Sequence, residues 1–292
     1  MKYIIKEGEI SILLPEGEGG GLSGEVHLIK HEGKKYVVRR CKELKKAKQY
    51  EFISKKLGKY GFLPKFLGRY GKDVLYEYIE GRDLRKDEKL DVFRQLGAIA
   101  AKVNTVNSSY SHELRLDQQL KELVSGKYKT IGKAAMRVWK NRMAGEKFDK
   151  RRVKALLSKD EGENIKRIYF YLKKKVKPKV TYESNDLSGG NFRLSKGKVY
   201  FIDVEAIKPR WKGFGIAKCF TQWAKTPKKQ QAFLKGYKSV SSVKFLNKNY
   251  MDFLYLNFYV QSLNYKVKVG REYNVELRRL KVLINKYNGM LK

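Results

Sequence analysis

The chain opens with apolar and polar positions alternating in the manner of strands, and beyond residue 87 the apolar spacing lengthens to that of helices. Ile10 to Leu14 and Val26 to Lys30 predict two strands, with GEGGGLSGEV between them. Lys35 to Cys41, KYVVRRC, predicts a third, in which Val37 and Arg39 share one face. Lys42 to Gly58 reads as a helix because Tyr50, Ile53 and Leu57 recur at helical spacing, and Glu51 on that helix is available to pair with Arg39. After Pro64, Lys65 to Leu67 and Val74 to Tyr78 predict two more strands, and Gly81 ends the pattern. Residues 1–80 are thus expected to form an antiparallel five-stranded lobe with one helix. From Asp87 onward, Leu90, Phe93, Leu96, Ala100 and Val103 mark one amphipathic helix face; 245–265 reads as a core helix and 273–288 as a closing one. Residues 81–292 should therefore be a mainly helical second lobe, which makes the fold class α+β and bilobal.

Residues 184–205, SNDLSGGNFRLSKGKVYFIDVE, break the helical run. Phe192 to Leu194 and Val199 to Ile202 predict two short strands around a three-residue turn, Ser195-Lys196-Gly197, so the hairpin returns Asp203 beside Asn191. Asp186, Asn191 and Asp203 then stand at a spacing that serves phosphoryl transfer. That reaction asks a protein for a carboxylate to orient the attacking hydroxyl and for oxygen ligands to Mg²⁺ on the triphosphate. Asp186 is the candidate for the first task, Asn191 and Asp203 for the second. The competing reading is an Asx-capped turn on an acidic surface hairpin, against which stands the apolar run Val199-Tyr200-Phe201-Ile202 leading into Asp203.

The glycine segment supports the first reading. Gly19, Gly21, Gly24 and Val26 fit G-x-G-x-x-G-x-V, with Ser23 inside the pattern. Glycines at those positions let backbone N–H groups approach phosphate oxygens, whereas a flexible hairpin tip would use them only for turning. A strand follows the loop, not a helix, which points to a protein-kinase-like nucleotide lobe over a dinucleotide fold. Arg39 is then the candidate phosphate-binding cation.

Composition narrows the partners. The 66 lysines and arginines against 30 acids give a formal charge of +36 over 292 residues. Such an excess implies an anionic partner, a nucleic acid, an acidic membrane surface or a phosphorylated saccharide, unless it is a compositional habit of the source. The basic segment 127–159, with Ile131, Ala135, Val138 and Trp139 on one side, reads either as a polyanion or membrane contact or as a surface helix packed by its stripe. Two cysteines, Cys41 and Cys219, and three scattered histidines, His27, His31 and His112, offer no metal or disulfide framework. The opening MKYIIKEGE turns polar too soon for a signal peptide, and no apolar run is long enough to span a bilayer, so a cytoplasmic protein is expected, with a peripheral membrane position left open.

Taken in order, the strand–glycine loop–strand unit, Arg39, Glu51, the YEYIEG segment, SNDLSGGN, FIDVE and FLKGY at 233–237 resemble the aminoglycoside phosphotransferase and choline kinase superfamily over nearly the whole chain. The local likeness is to choline and ethanolamine kinases, whose H-N-D-x-x-x-x-N, D-F-E and G-F-D segments are similar to SNDLSGGN, IDVE and KGFGIAKCFTQW. The resemblance implies a protein-kinase-like fold, an ATP- and Mg²⁺-dependent kinase and a hydroxyl acceptor on a small molecule, saccharide or lipid head group. It implies Asp186 as the catalytic base, Asn191 and Asp203 as Mg²⁺ ligands and Glu205 in support of the metal. Arg39 with Glu51 would hold the phosphates, under a loop formed by Gly19, Gly21, Ser23 and Gly24. The Glu77 carbonyl and the Ile79 N–H would meet adenine. Three departures stand out: Ser184 replaces the family's histidine, Arg39 its lysine and Gly215 the acid of G-F-D. A nucleotide-binding pseudokinase is the alternative they raise.

Overall fold

The computed structural model describes residues 11–12, 24–108, 116–125, 155–184, 187, 189–268 and 271–289. Its strands are β1 (Ser11–Ile12), β2 (Gly24–His31), β3 (Lys34–Cys41), β4 (Phe66–Tyr70), β5 (Asp73–Glu77), β6 (Arg82–Asp83), β7 (Val180–Ser184), β8 (Phe192–Ser195), β9 (Lys198–Phe201) and β10 (Ile207–Trp211). Its helices are α1 (Leu44–Leu57), α2 (Leu90–Val103), α3 (Leu116–Ser125), α4 (Lys159–Val176), α5 (Phe214–Gln222), α6 (Pro227–Lys238), α7 (Lys248–Lys268) and α8 (Asn274–Asn288).

Strands β1 to β5 form the expected antiparallel sheet, in the order β1-β2-β3-β5-β4. Its register aligns Val26, Arg39 and Val74 in one row and Leu28, Val37 and Tyr76 in another. The two rows share a face because strand side chains alternate with a period of two. Helix α1 covers that face with Ala47, Tyr50, Ile53, Ser54 and Leu57, the buried positions of its helical stripe, and Ser54 Oγ lies 3.1 Å from the Tyr76 hydroxyl. The alternation in KYVVRRC thus places Arg39 on the helix-covered side.

Compactness divides the chain along lines other than residue 80. One unit comprises Met1–Val106, Tyr182–Lys208 and Cys219–Ser241, the other Asn107–Thr181, Pro209–Lys218 and Ser242–Lys292. The physical reason lies in the pairings of the first unit. Strand β6 pairs with β8 through Arg82↔Leu194 and Asp83↔Arg193, and β8 with β9, so the hairpin joins the chain that leaves the sheet. Helix α2 crosses α6 backbone to backbone at two glycines. A Cβ on Gly97 would stand 1.9 Å from the Phe233 carbonyl oxygen, and one on Gly236 would stand 1.7 Å from that of Arg94. No other residue allows that approach.

In the second unit α3, α4, α7 and α8 bury Leu120, Leu123, Ile168, Leu172, Phe253, Leu263, Leu280 and Ile284 against one another. A capping box starts α4: Glu161 N–H donates to Ser158 Oγ at 3.1 Å, and Ser158 N–H to Glu161 Oε2 at 2.8 Å. The core helix read at 245–265 is α7 and the closing helix at 273–288 is α8. Among the described residues no helix is long and apolar enough to cross a membrane. The stripe Ile131, Ala135, Val138 and Trp139 lies outside the described residues, as do Gly19, Gly21 and Ser23.

Candidate active site

The hairpin of the first unit sets the geometry. Phe192 pairs with Phe201 and Ser195 with Lys198, so the connection is Lys196-Gly197, two residues where three were expected. Both take positive φ, 47° and 79°, the type I′ turn whose twist matches the strands it joins. Gln95 of α2 holds this turn, donating to the Gly197 carbonyl at 2.8 Å and accepting from Val199 N–H at 2.8 Å. At the other end the buried rings of Phe192 and Phe201 stack with centroids 4.7 Å apart. Ile202 N–H then donates to the Asn191 carbonyl at 2.9 Å. Asn191 and Asp203 therefore flank the open end of the hairpin.

Arg39 reaches that end. Its Nη1 lies 3.3 Å from Asp203 Oδ1 and 3.4 Å from Glu205 Oε2, with side-chain exposures of 19%, 26% and 22% respectively. Its guanidinium also sits over the Tyr50 ring, 5.5 Å from the centroid. Burial alone would lower its pKa, but Asp203, Tyr50 and Glu205 outweigh it and hold the group above its ordinary value. The neighbouring Arg40 is on the opposite, exposed face, where it grips Asp73 through Nε and Nη2 at 3.0 and 3.1 Å.

The expected partnership of Glu51 with Arg39 is not formed. Glu51 instead accepts from Arg69 Nε on β4 at 2.6 Å and from Lys55, one helical turn on, at 2.6 Å. Those hydrogen bonds, that of Lys55 first, hold its carboxyl below the usual range. The cause is helical phase: Tyr50 is the residue of α1 aimed at Arg39, and the next residue points about 100° away. Sequence reasoning gives Tyr50 only as a core position of α1 and gives Arg69 and Gln95 no role. Only the burial stripe through Tyr50 could have drawn attention to the first.

Glu77 closes β5. Its N–H donates to the Lys65 carbonyl at 3.0 Å, its Oε1 accepts from Lys65 N–H at 2.9 Å, and Tyr78 N–H donates to the Lys35 carbonyl at 3.3 Å. The Glu77 N–H thus faces the edge opposite that which Tyr78 presents to β3, and Ile79 follows beyond the end of β5. A cavity of about 480 Å³ beside Glu77 is lined by Ser54, Leu63, Phe66, Lys198 and Tyr200 among others, and by none of Arg39, Asn191, Asp203 or Glu205. Gly24 opens β2, paired with Cys41.

Asp186 lies outside the described residues. Of the residues that flank it in sequence, Glu183 and Ser184 are fully buried at the end of β7, and Leu187 is buried. Leu84 N–H donates to the Gly189 carbonyl at 3.4 Å, and a Cβ on Gly189 would stand 2.2 Å from Leu84 O and 2.6 Å from the Trp223 ring. The SGGN segment thus requires glycine at its first glycine position.

The donor set suits Mg²⁺. Asp203 and Glu205 supply carboxylates and Asn191 an amide oxygen, hard ligands of the kind that bind this ion beside a nucleotide. Among the described residues no three His, Cys, Asp or Glu side chains gather to hold a metal by themselves.

The profile of choline/ethanolamine kinases matches residues 20–287. The chain belongs to the choline/ethanolamine kinase family. It is accordingly a phosphotransferase, and its fold is shared by solved kinases of low identity. A choline kinase from Streptococcus pneumoniae is 16% identical, with 92% of each chain covered and a TM-score of 0.59. An ethanolamine kinase from Plasmodium vivax is 15% identical over 94% of this chain and 81% of that one, at a TM-score of 0.55. A spectinomycin phosphotransferase solved with ADP and spectinomycin is 13% identical over 97% of this chain and 93% of that one, at a TM-score of 0.55. No curated protein sequence matches significantly. Ser184 is buried, and its Oγ has no hydrogen-bond partner among the described residues.

Proposed function

We propose that this kinase transfers the terminal phosphoryl group of Mg²⁺-ATP to a hydroxyl of a small amino alcohol. The observation that carries the reading is the meeting of Arg39 with Asp203 and Glu205 at the open end of the hairpin that also presents Asn191. Catalysis of phosphoryl transfer is mostly positioning and charge stabilisation, and this arrangement offers a fixed cation beside oxygen donors. Arg39 would bind a phosphate with its fork of donors while keeping its stack on Tyr50. Asn191 and Asp203, supported by Glu205, would hold Mg²⁺, which when bound offsets charge on the transferred group. Asp186 would orient the acceptor hydroxyl and take its proton. Glu77 and Ile79 would meet adenine, and Gly19, Gly21, Ser23 and Gly24 would cover the phosphates; for Glu51 the support is withdrawn, since its carboxylate is committed to Arg69 and Lys55.

The test is ATP consumption with choline, ethanolamine, other alcohols and saccharides, with and without Mg²⁺, beside calorimetry of ATP binding. Turnover that requires Mg²⁺ and one acceptor class supports the reading. ATP binding that is indifferent to Mg²⁺, with no turnover on any acceptor, would replace it by a nucleotide-binding pseudokinase, the reading favoured by Ser184 and Gly215.

The formal charge of +36 supports a second part of the proposal: a cytoplasmic kinase that works against an anionic surface, membrane or nucleic acid, with an anionic saccharide or lipid head group as the rival acceptor. Replacing Lys133, Arg137 and Lys140 by Glu should weaken retention on anionic vesicles or RNA and flatten its salt dependence while ATP affinity is kept. Equal retention of parent and variant at low salt returns the excess to composition.

A further inference from the structure

FLKGY, the late motif at 233–237, has no role in the site as described. Its tyrosine is fully buried at the end of α6, and the hydroxyl donates to Asn104 Oδ1 at 2.7 Å. Asn104 caps the C-terminus of α2. Its Nδ2 donates twice, to the Tyr182 carbonyl at 2.8 Å and to Glu183 Oε1 at 2.6 Å. Both amide hydrogens and the amide oxygen are therefore engaged. Turning the amide over would set its oxygen against two acceptors, so its orientation is locked. Tyr182 is further held by its own N–H donating to the Val106 carbonyl at 3.0 Å. The tyrosine reaches Asn104 only because Gly97 and Gly236 let the two helices touch.

What this network grips is the strand end that leads into Asp186. Glu183 is fully buried and Asn104 and Tyr237 nearly or wholly so, and a hydrogen-bond chain in such surroundings gives a stiff anchor. Ser184 contributes no comparable brace, because its buried Oγ has no hydrogen-bond partner among the described residues.

We propose that Tyr237 and Asn104 are positioning residues for the catalytic loop, acting through Tyr182 and Glu183 to fix the point from which the chain enters residues 185–191. The inference rests on the reading of Asp186 as the catalytic base, because a loop that performs no chemistry would need no such aim. Small displacements of a reacting group cost up to roughly a hundredfold in rate. A lost hydroxyl at two removes from Asp186 should therefore cost turnover while leaving nucleotide binding, whose residues lie on the sheet and the hairpin, unchanged.

The experiment compares the full-length parent with Tyr237→Phe, Asn104→Ala, the double variant and Phe233→Leu. Phe233 is a buried neighbour on the same helix that packs edge-on against Phe220 and takes no part in the network. Mg²⁺-ATP turnover is measured with choline as acceptor and with water alone, together with the ATP KM, thermal midpoint and hydrogen exchange of backbone amides 182–191. Tyr237→Phe should lower kcat about tenfold at unchanged KM and speed exchange in 182–191, and the double variant should be no worse than Asn104→Ala. Phe233→Leu should lower the midpoint without either effect. Unchanged kcat and exchange in Tyr237→Phe would overturn the proposal, as would losses that follow the thermal midpoint in both Tyr237→Phe and Phe233→Leu. Should Asn104→Ala fail to fold, Tyr237→Phe decides alone. Should the parent show no turnover, choline falls as the proposed acceptor, and the exchange of 182–191 still decides whether the network anchors the loop.

Discussion

Removing the guanidinium of Arg39 perturbs two things that the structure lets one separate. In the free protein its partners Asp203 and Glu205 lose their shared countercharge while remaining only 26% and 22% exposed. Exposed ion pairs contribute up to about 1 kcal/mol and breaking buried ones costs about 3–5 kcal/mol. With about a quarter of each carboxylate in solvent, Arg39→Ala should cost about 1–3 kcal/mol of stability by interpolation between those limits. In the nucleotide complex the same change removes a charge-assisted contact to phosphate, worth about 1.5–3 kcal/mol, or roughly 10- to 150-fold in Kd. Calorimetry with Mg²⁺-ATP, steady-state turnover and thermal unfolding measure the three effects. Arg39→Lys should fall between, since it keeps the charge and loses the planar fork that lies over Tyr50. Arg40→Ala, on the exposed face against Asp73, should change affinity hardly at all. Unchanged affinity in Arg39→Ala together with loss in Arg40→Ala would show that the phosphate-facing side of β3 has been assigned wrongly by one residue.

The carboxylates should separate by phenotype: Asp186→Asn keeps Mg²⁺-ATP binding and loses turnover by at least about 100-fold, whereas Asp203→Asn loses both turnover and the Mg²⁺ dependence of nucleotide binding, as calorimetry with and without the ion would show. Gly189→Ala should cost about 1–3 kcal/mol because its Cβ would meet Leu84 O at 2.2 Å. Gly190→Ala, where a Cβ meets nothing within 4 Å, should stay within about 0.5 kcal/mol; equal denaturation midpoints would refute the contrast. Glu51→Ala should leave ATP affinity intact and lower thermal stability at neutral pH. Because the folded-state pKa of Glu51 is depressed by Lys55 and Arg69, its contribution is complete above the unfolded carboxylate value and is lost as pH falls through the folded one. The gap between variant and parent should therefore close in the acid range, and a gap that widened there would contradict the pairing.

Elements whose physics is local were legible along the chain. Alternation in KYVVRRC set which face Arg39 shares with Val37, and the apolar run before Asp203 marked a strand that buries one face, Val199 and Phe201, because side-chain direction follows from a fixed backbone period. The order of SNDLSGGN and FIDVE carried the family for a similar reason: a short hairpin must bring its two ends together. The turn is one residue shorter than its composition suggests, since Ser195 pairs with Lys198 where Gln95, far away in sequence, grips the turn. Other features belong to tertiary structure alone. Glu51 went to Arg69 and Lys55 and Arg39 to Asp203 and Glu205, because the partner of a charge depends on how a helix is rotated against a sheet. Neither element's own pattern records that angle. The tie from Tyr237 through Asn104 to Glu183 joins three segments remote in sequence, and it exists only because two glycines let their helices meet.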